Sequence, residues 1–380
     1  MRILIASNAP WSNTGYGTQT RLMVKHLGEL GHEIAVACNY GLRGGILDGG
    51  GAKFYPAGYD THFPNDVLQA HADDFSAEAI ISIYDAWCID IANLKTPWLA
   101  WLPIDHQPAP AHVMNAIKKA LSAVSYSRFG YNEMTKAGAD NAHYIPLGVE
   151  TDVYTPMPRH EARGRLGLND QAYIVGMVAA NKTKNPSRKC IPQALQAFRI
   201  FKYSHPDALM YLHTEETGVA GGIHLKPLLD ALNLGGDSLL LCDQYDYATG
   251  GFGDAYMRDI YNACDVLLAP SMSEGFGLPI IEAQACGTPV IATKFSSMME
   301  LVDGVGGGLI EDFEPFWSVQ NAWQALPHVQ GIVNALDAAY LSKQANEDAN
   351  RAKAREKALG YDWKNCIAPL WDEHLKAVAQ

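Results

Sequence analysis

From Asp265 to Val302 the chain reads DVLLAPSMSEGFGLPIIEAQACGTPVIATKFSSMMELV, and this block restricts the possible folds more than any other stretch. It opens on a short apolar run, Val266-Leu267-Leu268-Ala269, of the kind that forms a buried parallel strand. Pro270 and Ser271 end the run, and a loop with Ser273, Glu274, Gly275, Phe276 and Gly277 follows. Pro279 fits the first turn of a helix, where its missing N–H removes a donor that has no partner anyway. The spacing predicts a helix over Ile280–Cys286, stopped by Gly287, and then a second buried strand, Pro289–Ala292. Strand, glycine loop, helix and strand make a βαβ unit. Its loop falls at the carboxyl edge of a parallel sheet, where open α/β sheets bind ligands.

The loop has a chemical logic. Gly275 and Gly277 let backbone N–H groups approach a ligand, and a helix N-terminus behind them favours an anion. Glu274 and Glu282 stand eight residues apart. At ~3.6 residues per turn that is a little over two turns, which would put both carboxylates on about one face. Two acceptor groups beside an anion site suit two sets of hydroxyls joined by phosphates, as in a sugar nucleotide. Glu274-Gly-Phe-Gly-Leu-Pro with Glu282, then Ala285-Cys-Gly-Thr-Pro-Val-Ile, resembles the Glu-x7-Glu signature of retaining GT-B glycosyltransferases, specifically glycosyltransferase family 4. The resemblance implies an α/β protein of two Rossmann-like domains whose parallel sheets face across a cleft. It also implies that Glu274 contacts the donor sugar hydroxyls and Glu282 the ribose hydroxyls. The backbone of Gly275, Phe276, Gly277 and Leu278 would face the sugar and diphosphate.

The 380 residues suffice for two domains, and 48% hydrophobic content gives both a core. A formal net charge of −12 counts against whole-surface attraction to nucleic acid or anionic lipid. The seven cysteines are scattered without a C-x-x-C pair, which fits free thiols in a reducing cytoplasm. The apolar run at the amino terminus is short for a signal peptide, and no run approaches the ~18 apolar residues of a membrane span.

Residues 2–6 read as a first strand, followed by a loop over Ser7–Thr20, a helix over Arg21–Leu30 and a strand over His32–Cys38. In the resembled family the first loop faces the diphosphate and acceptor, which assigns Gly15 and Gly17 to the donor site. Trp11 and Tyr16 are either acceptor-facing or loop-anchoring aromatics. Residues 44–58 read as a glycine-rich hairpin or loop. Strands over Ala79–Tyr84 and Trp98–Pro103 follow, the second running into Ile104-Asp105-His106. In the resembled family a strand-end His lies near donor sugar and acceptor, which makes His106 a catalytic candidate. Lys118, Lys119, Arg128 and Lys136 form either a basic patch or a solvated face.

Thr155-Pro-Met-Pro158 reads as a linker, giving expected domains of 1–152 and 153–360, with 361–380 as a helix crossing back to the first domain. The second domain opens with a strand over Tyr173–Ala179, then Asn181-Lys-Thr-Lys-Asn-Pro-Ser-Arg188-Lys189 and a helix. Cations after a first strand are what a diphosphate needs, Arg as a two-pronged donor and Lys as a point charge. Lys189 matches the family lysine, while Asn181 stands where the family has its arginine. That leaves Arg188 or Lys182 to supply the second cation. A strand over Ser238–Cys242 leads to a loop that borders the base in the family, with Gln244 or Tyr245 as its contact. Residues 246–255 read as a variable loop, and 332–343 and 348–359 as two amphipathic helices.

The resemblance implies a retaining, metal-independent hexosyltransferase acting from a nucleoside diphosphate sugar, UDP-sugar foremost, onto a hydroxyl acceptor. The Trp11–Thr20 loop, the Pro-Ile-Asp-His segment and the Ser-Arg-Lys triplet are most similar to a phage-associated branch. That likeness implies hydroxymethylpyrimidine in DNA as acceptor and host cytoplasm as location. A glycan, lipid or small-molecule acceptor, or a sugar-nucleotide epimerase, is the alternative.

Overall fold

The computed structural model describes residues 1–59, 63–90, 92 and 94–379. The chain forms two units. One holds Met1–Gly148, Gln320–Ala322 and the residues from Asp362 on; the other holds Val149–Val319 and Trp323–Tyr361.

In the first unit the apolar runs become β1 (Arg2–Ser7), β2 (Glu33–Cys38), β3 (Leu47–Gly49), β4 (Ala52–Tyr55), β5 (Ala79–Ile83), β6 (Trp98–Leu102), β7 (Ser122–Ser125) and β8 (Ala142–Tyr144). They form one sheet in the order β3-β4-β2-β1-β5-β6-β7-β8, parallel except at the β3–β4 hairpin. β5 and β6 are buried along their whole length, the pattern of strands covered on both faces. The helices are α1 (Gly15–Glu29), α2 (Leu68–Phe75), α3 (Ala111–Ile117) and α4 (Arg128–Lys136). The chain leaves β1 toward β2 on one side and returns to β5 on the other, so the strand order reverses between β1 and β5.

The first loop is shorter than its composition suggests, because α1 starts at Gly15 rather than after Thr20. Thr14 is the N-cap, and its hydroxyl accepts the Gly17 N–H at 3.0 Å. Gly17 is required for packing: a Cβ there would lie 2.2 Å from the Ser12 carbonyl oxygen. The last helix, Ala368–Val378, follows a π-helical turn at Trp363–Ile367. Trp363 and Trp371 are fully buried and meet Trp101 of β6 edge-on at 6.0 and 5.2 Å. Gln19 of α1 is buried beside them. Its Oε1 accepts from Trp363 Nε1 at 2.9 Å, and its Nε2 donates to the Gly148 carbonyl at 2.8 Å.

The second unit contains β9 (Tyr173–Val178), β10 (Ala208–His213), β11 (Leu239–Leu241), β12 (Val266–Ala269), β13 (Val290–Thr293) and β14 (Gly308–Ile310). All pair in parallel, in the order β11-β10-β9-β12-β13-β14. Here the order reverses between β9 and β12. The helices are α5 (Arg159–Leu166), α6 (Ile191–Ser204), α7 (Leu225–Leu232), α8 (Gln244–Thr249), α9 (Asp254–Ala263), α10 (Leu278–Ala285), α11 (Ser297–Val302) and α12 (Val329–Leu359). The stretch read as a variable loop holds α8, capped by Asp243, whose side chain accepts from Asp246 N. The two late helices form one run broken at Asn346, with φ −148° and ψ 36°. An antiparallel hairpin, β15 (Phe313–Trp317) with β16 (Trp323–Pro327), has no counterpart in the sequence reading. Both halves are α/β with parallel sheets, as the central block requires.

Candidate functional site

The expected donor residues gather at the carboxyl ends of β9 and β12, the reversal point where open sheets bind ligands. After β9 the chain makes an irregular turn through Ala179–Cys190 before α6. Cys190 closes it in the left-handed region, φ 52°, an uncommon conformation for a residue with a side chain. The Arg188 carbonyl accepts the Met272 N–H at 2.8 Å, which ties this turn to the loop after β12.

Both cations reach Glu274. Lys189 Nζ donates to Glu274 Oε1. Arg188 Nη1 donates to the Ser273 carbonyl at 2.7 Å and lies 3.4 Å from Glu274 Oε2. The Glu274 side chain is 12% exposed. Burial pushes its carboxyl pKa up, but Lys189 and Arg188 pull it down more strongly, and it lies below its ordinary value. Arg188, not the exposed Lys182, is thus the second cation at this carboxylate. Lys189, Glu274, Gly277 and Pro279 line a cavity of about 20 Å³ between the ends of β9 and β12.

The loop Glu274–Leu278 is held from behind. Ser296 Oγ accepts the Glu274 N–H at 2.9 Å, and Ser297 Oγ bonds the carbonyls of Glu274 and Phe276 at 2.8 and 2.7 Å. Gln324 of β16 donates to Ser273 Oγ at 2.6 Å, so the unforeseen hairpin braces the same loop. The Phe276 side chain is buried and packs edge-on against Tyr361 at 5.6 Å; only its backbone faces the loop. Gly277 has φ +111°, which favours glycine, and it caps α10.

Four expectations change. Glu274 lies ahead of α10, so helical periodicity does not relate it to Glu282; the loop places one and the helix the other. Glu282 accepts from the buried Tyr261 Oη at 2.7 Å and is not among the residues lining the small cavity. Asn181 is 3% exposed, and its amide is spent on backbone: it donates to the Glu215 and Ile223 carbonyls and accepts from Ile223 N. It braces two loops and is not available to a diphosphate. Gln244 is similarly occupied, accepting from Glu216 N at 2.9 Å and donating to the Cys242 carbonyl at 2.8 Å. Tyr245 beside it is 76% exposed.

In the first unit, Gly15 and Gly17 sit in the first turn of α1, with the Gly17 amide already capped. Tyr16 packs edge-on against Tyr84, which follows β5, at 5.8 Å. Trp11 donates from Nε1 to the Gly41 carbonyl at 2.7 Å and packs on Phe54, so it anchors its loop. His106 follows β6, and its Nδ1 lies 2.6 Å from Asp105 Oδ1. A carboxylate at that distance fixes the ring orientation and favours a proton on Nδ1. All four cations of the expected patch or solvated face, Lys118, Lys119, Arg128 and Lys136, are exposed, and two of them have partners. Arg128 lies over the Tyr144 ring at 4.5 Å and Lys136 pairs with Glu133. Among the described residues, no group of three or more His, Cys, Asp or Glu is arranged to hold a metal ion, and no helix is long and apolar enough to cross a membrane.

Comparison with known proteins agrees with this architecture. Residues 243–318, which contain the loop and both glutamates, match the family described as glycosyl transferases group 1. Among curated proteins, the chain is similar to D-inositol 3-phosphate glycosyltransferase 1 of Catenulispora acidiphila, 27% identical over 263 residues, 64% of this chain and 53% of that protein. It is also similar to D-inositol 3-phosphate glycosyltransferase of Mycolicibacterium vanbaalenii, 31% identical over 61% of this chain and 47% of that protein. The chain therefore spans about half the length of the curated relatives it matches. Among solved structures, sucrose-phosphate synthase from Thermosynechococcus elongatus superposes with a TM-score of 0.74 at 18% identity, over 99% of this chain and 98% of that one. Anabaena Alr3699/HepE, solved in complex with UDP-glucose, gives 0.68 at 16% identity over 100% and 99%. On its fold and its matched segment together, the chain is a GT-B protein resembling glycosyltransferase family 4.

Proposed function

We propose that the chain is a retaining glycosyltransferase that moves a hexose from a UDP-sugar to a hydroxyl acceptor without an obligatory metal ion. The observation that carries this reading is the convergence of Lys189 and Arg188 from one strand end on Glu274 from the next, at the lip of a cavity. In the reaction the bond from the anomeric carbon to the diphosphate oxygen breaks and a bond to the acceptor oxygen forms. The acceptor proton passes to the leaving phosphate. Lys189 and Arg188 would stabilise the negative charge that grows on the diphosphate, the part a divalent cation plays elsewhere. The bonds that hold the loop use its carbonyls and the Glu274 amide, and the amides of Gly275, Phe276 and Gly277 would serve the donor. Glu274 would accept from sugar hydroxyls once the diphosphate has taken the cations from it. Glu282, oriented by Tyr261, would hold the ribose. His106, oriented by Asp105, is the catalytic candidate of the first unit.

The acceptor follows less directly. The curated relatives are named for D-inositol 3-phosphate, which supports a small-molecule acceptor. A DNA acceptor rests on the likeness to a phage-associated branch and on the exposed Lys118, Lys119 and Arg128. The test is transfer of labelled glucose from UDP-glucose to three acceptors: D-inositol 3-phosphate, oligosaccharides and hydroxymethylated duplex DNA. Label in any acceptor supports the transferase, and the labelled fraction names the class. Conversion of the donor sugar with no label in any acceptor would replace the transferase with an epimerase.

A further inference from the structure

At the opposite edge of the second sheet, where β12 begins, charged groups are packed with too few anions. Asp265 lies immediately before β12, and its side chain is fully buried. Its Oδ2 accepts from Arg163 Nη2 at 2.8 Å and from Ile174 N at 2.5 Å. Its Oδ1 lies 2.7 Å from Lys343 Nζ and 3.3 Å from Arg159 Nε. Arg159 also pairs with Glu347. Arg351 adds a fourth cation. Among the described residues it has no carboxylate at ion-pair distance. Its Nη2 makes long contacts to the Met157 and Cys286 carbonyls, 3.3 and 3.4 Å, and its Nη1 is buried with no hydrogen-bond partner. Arg159 Nε is likewise buried without a hydrogen bond. Burial, and then the charge of Arg159, pull the Arg351 pKa below its ordinary value.

Four cations against two carboxylates leave a local excess of two positive charges in a chain whose net charge is −12. Removing such charges from water costs several kcal/mol unless they are paired. Arg159, Lys343 and Arg351, together with the carboxylates of Asp265 and Glu347, line a cavity of about 10 Å³. That is about the space of one water-sized sphere, too small for phosphate or sulfate. Lys343 precedes the break in α12 at Asn346, and Arg351 follows it. Asn350 Nδ2 bonds Ser342 Oγ at 2.8 Å across the same break.

We propose that this cavity is a halide site, in which a single chloride-sized anion sits among Arg351 Nη1, Arg159 Nε and Lys343 Nζ and ties the two segments of α12 to α5. The anion supplies the missing negative charge and a partner for the orphaned Arg351 Nη1. The site is independent of the donor-binding reading, because it lies at the other edge of the sheet.

The test uses the full chain, exchanged into sodium gluconate and titrated with sodium chloride or bromide at constant ionic strength. Melting temperature should rise saturably by about 3 °C with either halide. Arg351→Gln and Lys343→Gln should each lose the halide-dependent rise, whatever their own starting temperature. Lys226→Gln, which removes the same charge from an exposed helix pair, should keep it. Crystals grown in bromide should show anomalous scattering inside the cavity. Equal melting temperatures in halide and gluconate, a full rise in both cavity variants, or no bromide there would each mean that the space holds water, and would overturn the proposal.

Discussion

β12 carries a carboxylate at each end. Asp265 precedes it and Glu274 follows by one loop, and each is met by cations from neighbouring elements. The chemistry is the same, but the setting is not. Asp265 is wholly buried and receives Arg163, which is 2% exposed, together with a backbone amide. Its partners come from α5 and α12, which pack over the sheet. Glu274 keeps 12% of its side chain exposed, and Arg188 beside it keeps 37%. Its partners come from the irregular turn between β9 and α6. A buried ion pair is costly to break because the survivor is left without water. A partly exposed pair at a strand end can exchange partners with a ligand. The lesson is that access, not charge, separates a structural cluster from a candidate site.

The sharpest way to break this comparison is to remove both carboxylates separately. Asp265→Ala should cost about 3–5 kcal/mol in urea unfolding, because it strands Arg163 in the interior. Glu274→Ala should cost clearly less than Asp265→Ala in unfolding, because its partners reach solvent, while abolishing turnover. A reversed result would exchange the roles of the two edges. Next in size, Lys189→Ala should lower kcat by about 10²–10³-fold, the usual loss when one charge-stabilising donor is removed. Its melting temperature should stay close to that of the parent. A comparable or smaller effect is expected at the first unit, where His106→Ala should reduce kcat by about 10²-fold, at the low end for a proton-handling group. An unchanged rate would remove His106 from the site.

The comparison also has a pH form. The Glu274 pKa is lowered on folding, so its charge stabilises the fold above its ordinary value of 4.5, and that contribution is lost as pH falls further. Glu274→Gln should therefore flatten the melting temperature profile below about pH 4.5. If the variant keeps the parent's acid slope, the cations do not hold Glu274 charged.

What was legible in the chain was local. The strand, loop and helix around Gly275 and Gly277 are neighbours in sequence, and their order alone placed Glu274 at a sheet edge. Lys189 was readable because it follows the first strand of its half. Misreadings came where a side chain's partner is remote. Asn181 and Gln244 look like donor contacts until the carbonyls of Glu215, Ile223 and Cys242 are seen to occupy them. The cation cluster at Asp265 joins residues from Arg159 to Arg351, and no local pattern announces it. Gly15 and Gly17 were read as loop because glycine is a poor helix former; Thr14 capping and the close approach of Ser12 outweighed that propensity. Nothing local announces the hairpin at Phe313–Pro327: Pro315 sits inside it, and proline argues against a strand.

The central claim is that Lys189 and Arg188 are a diphosphate site occupied by Glu274 until the donor arrives. Calorimetric titration of UDP into Glu274→Ala tests it most directly. UDP carries the diphosphate but no sugar for Glu274 to hold, so removing the competing carboxylate should tighten UDP binding while glucose transfer is lost. UDP binding that weakens or stays the same in Glu274→Ala would contradict the account.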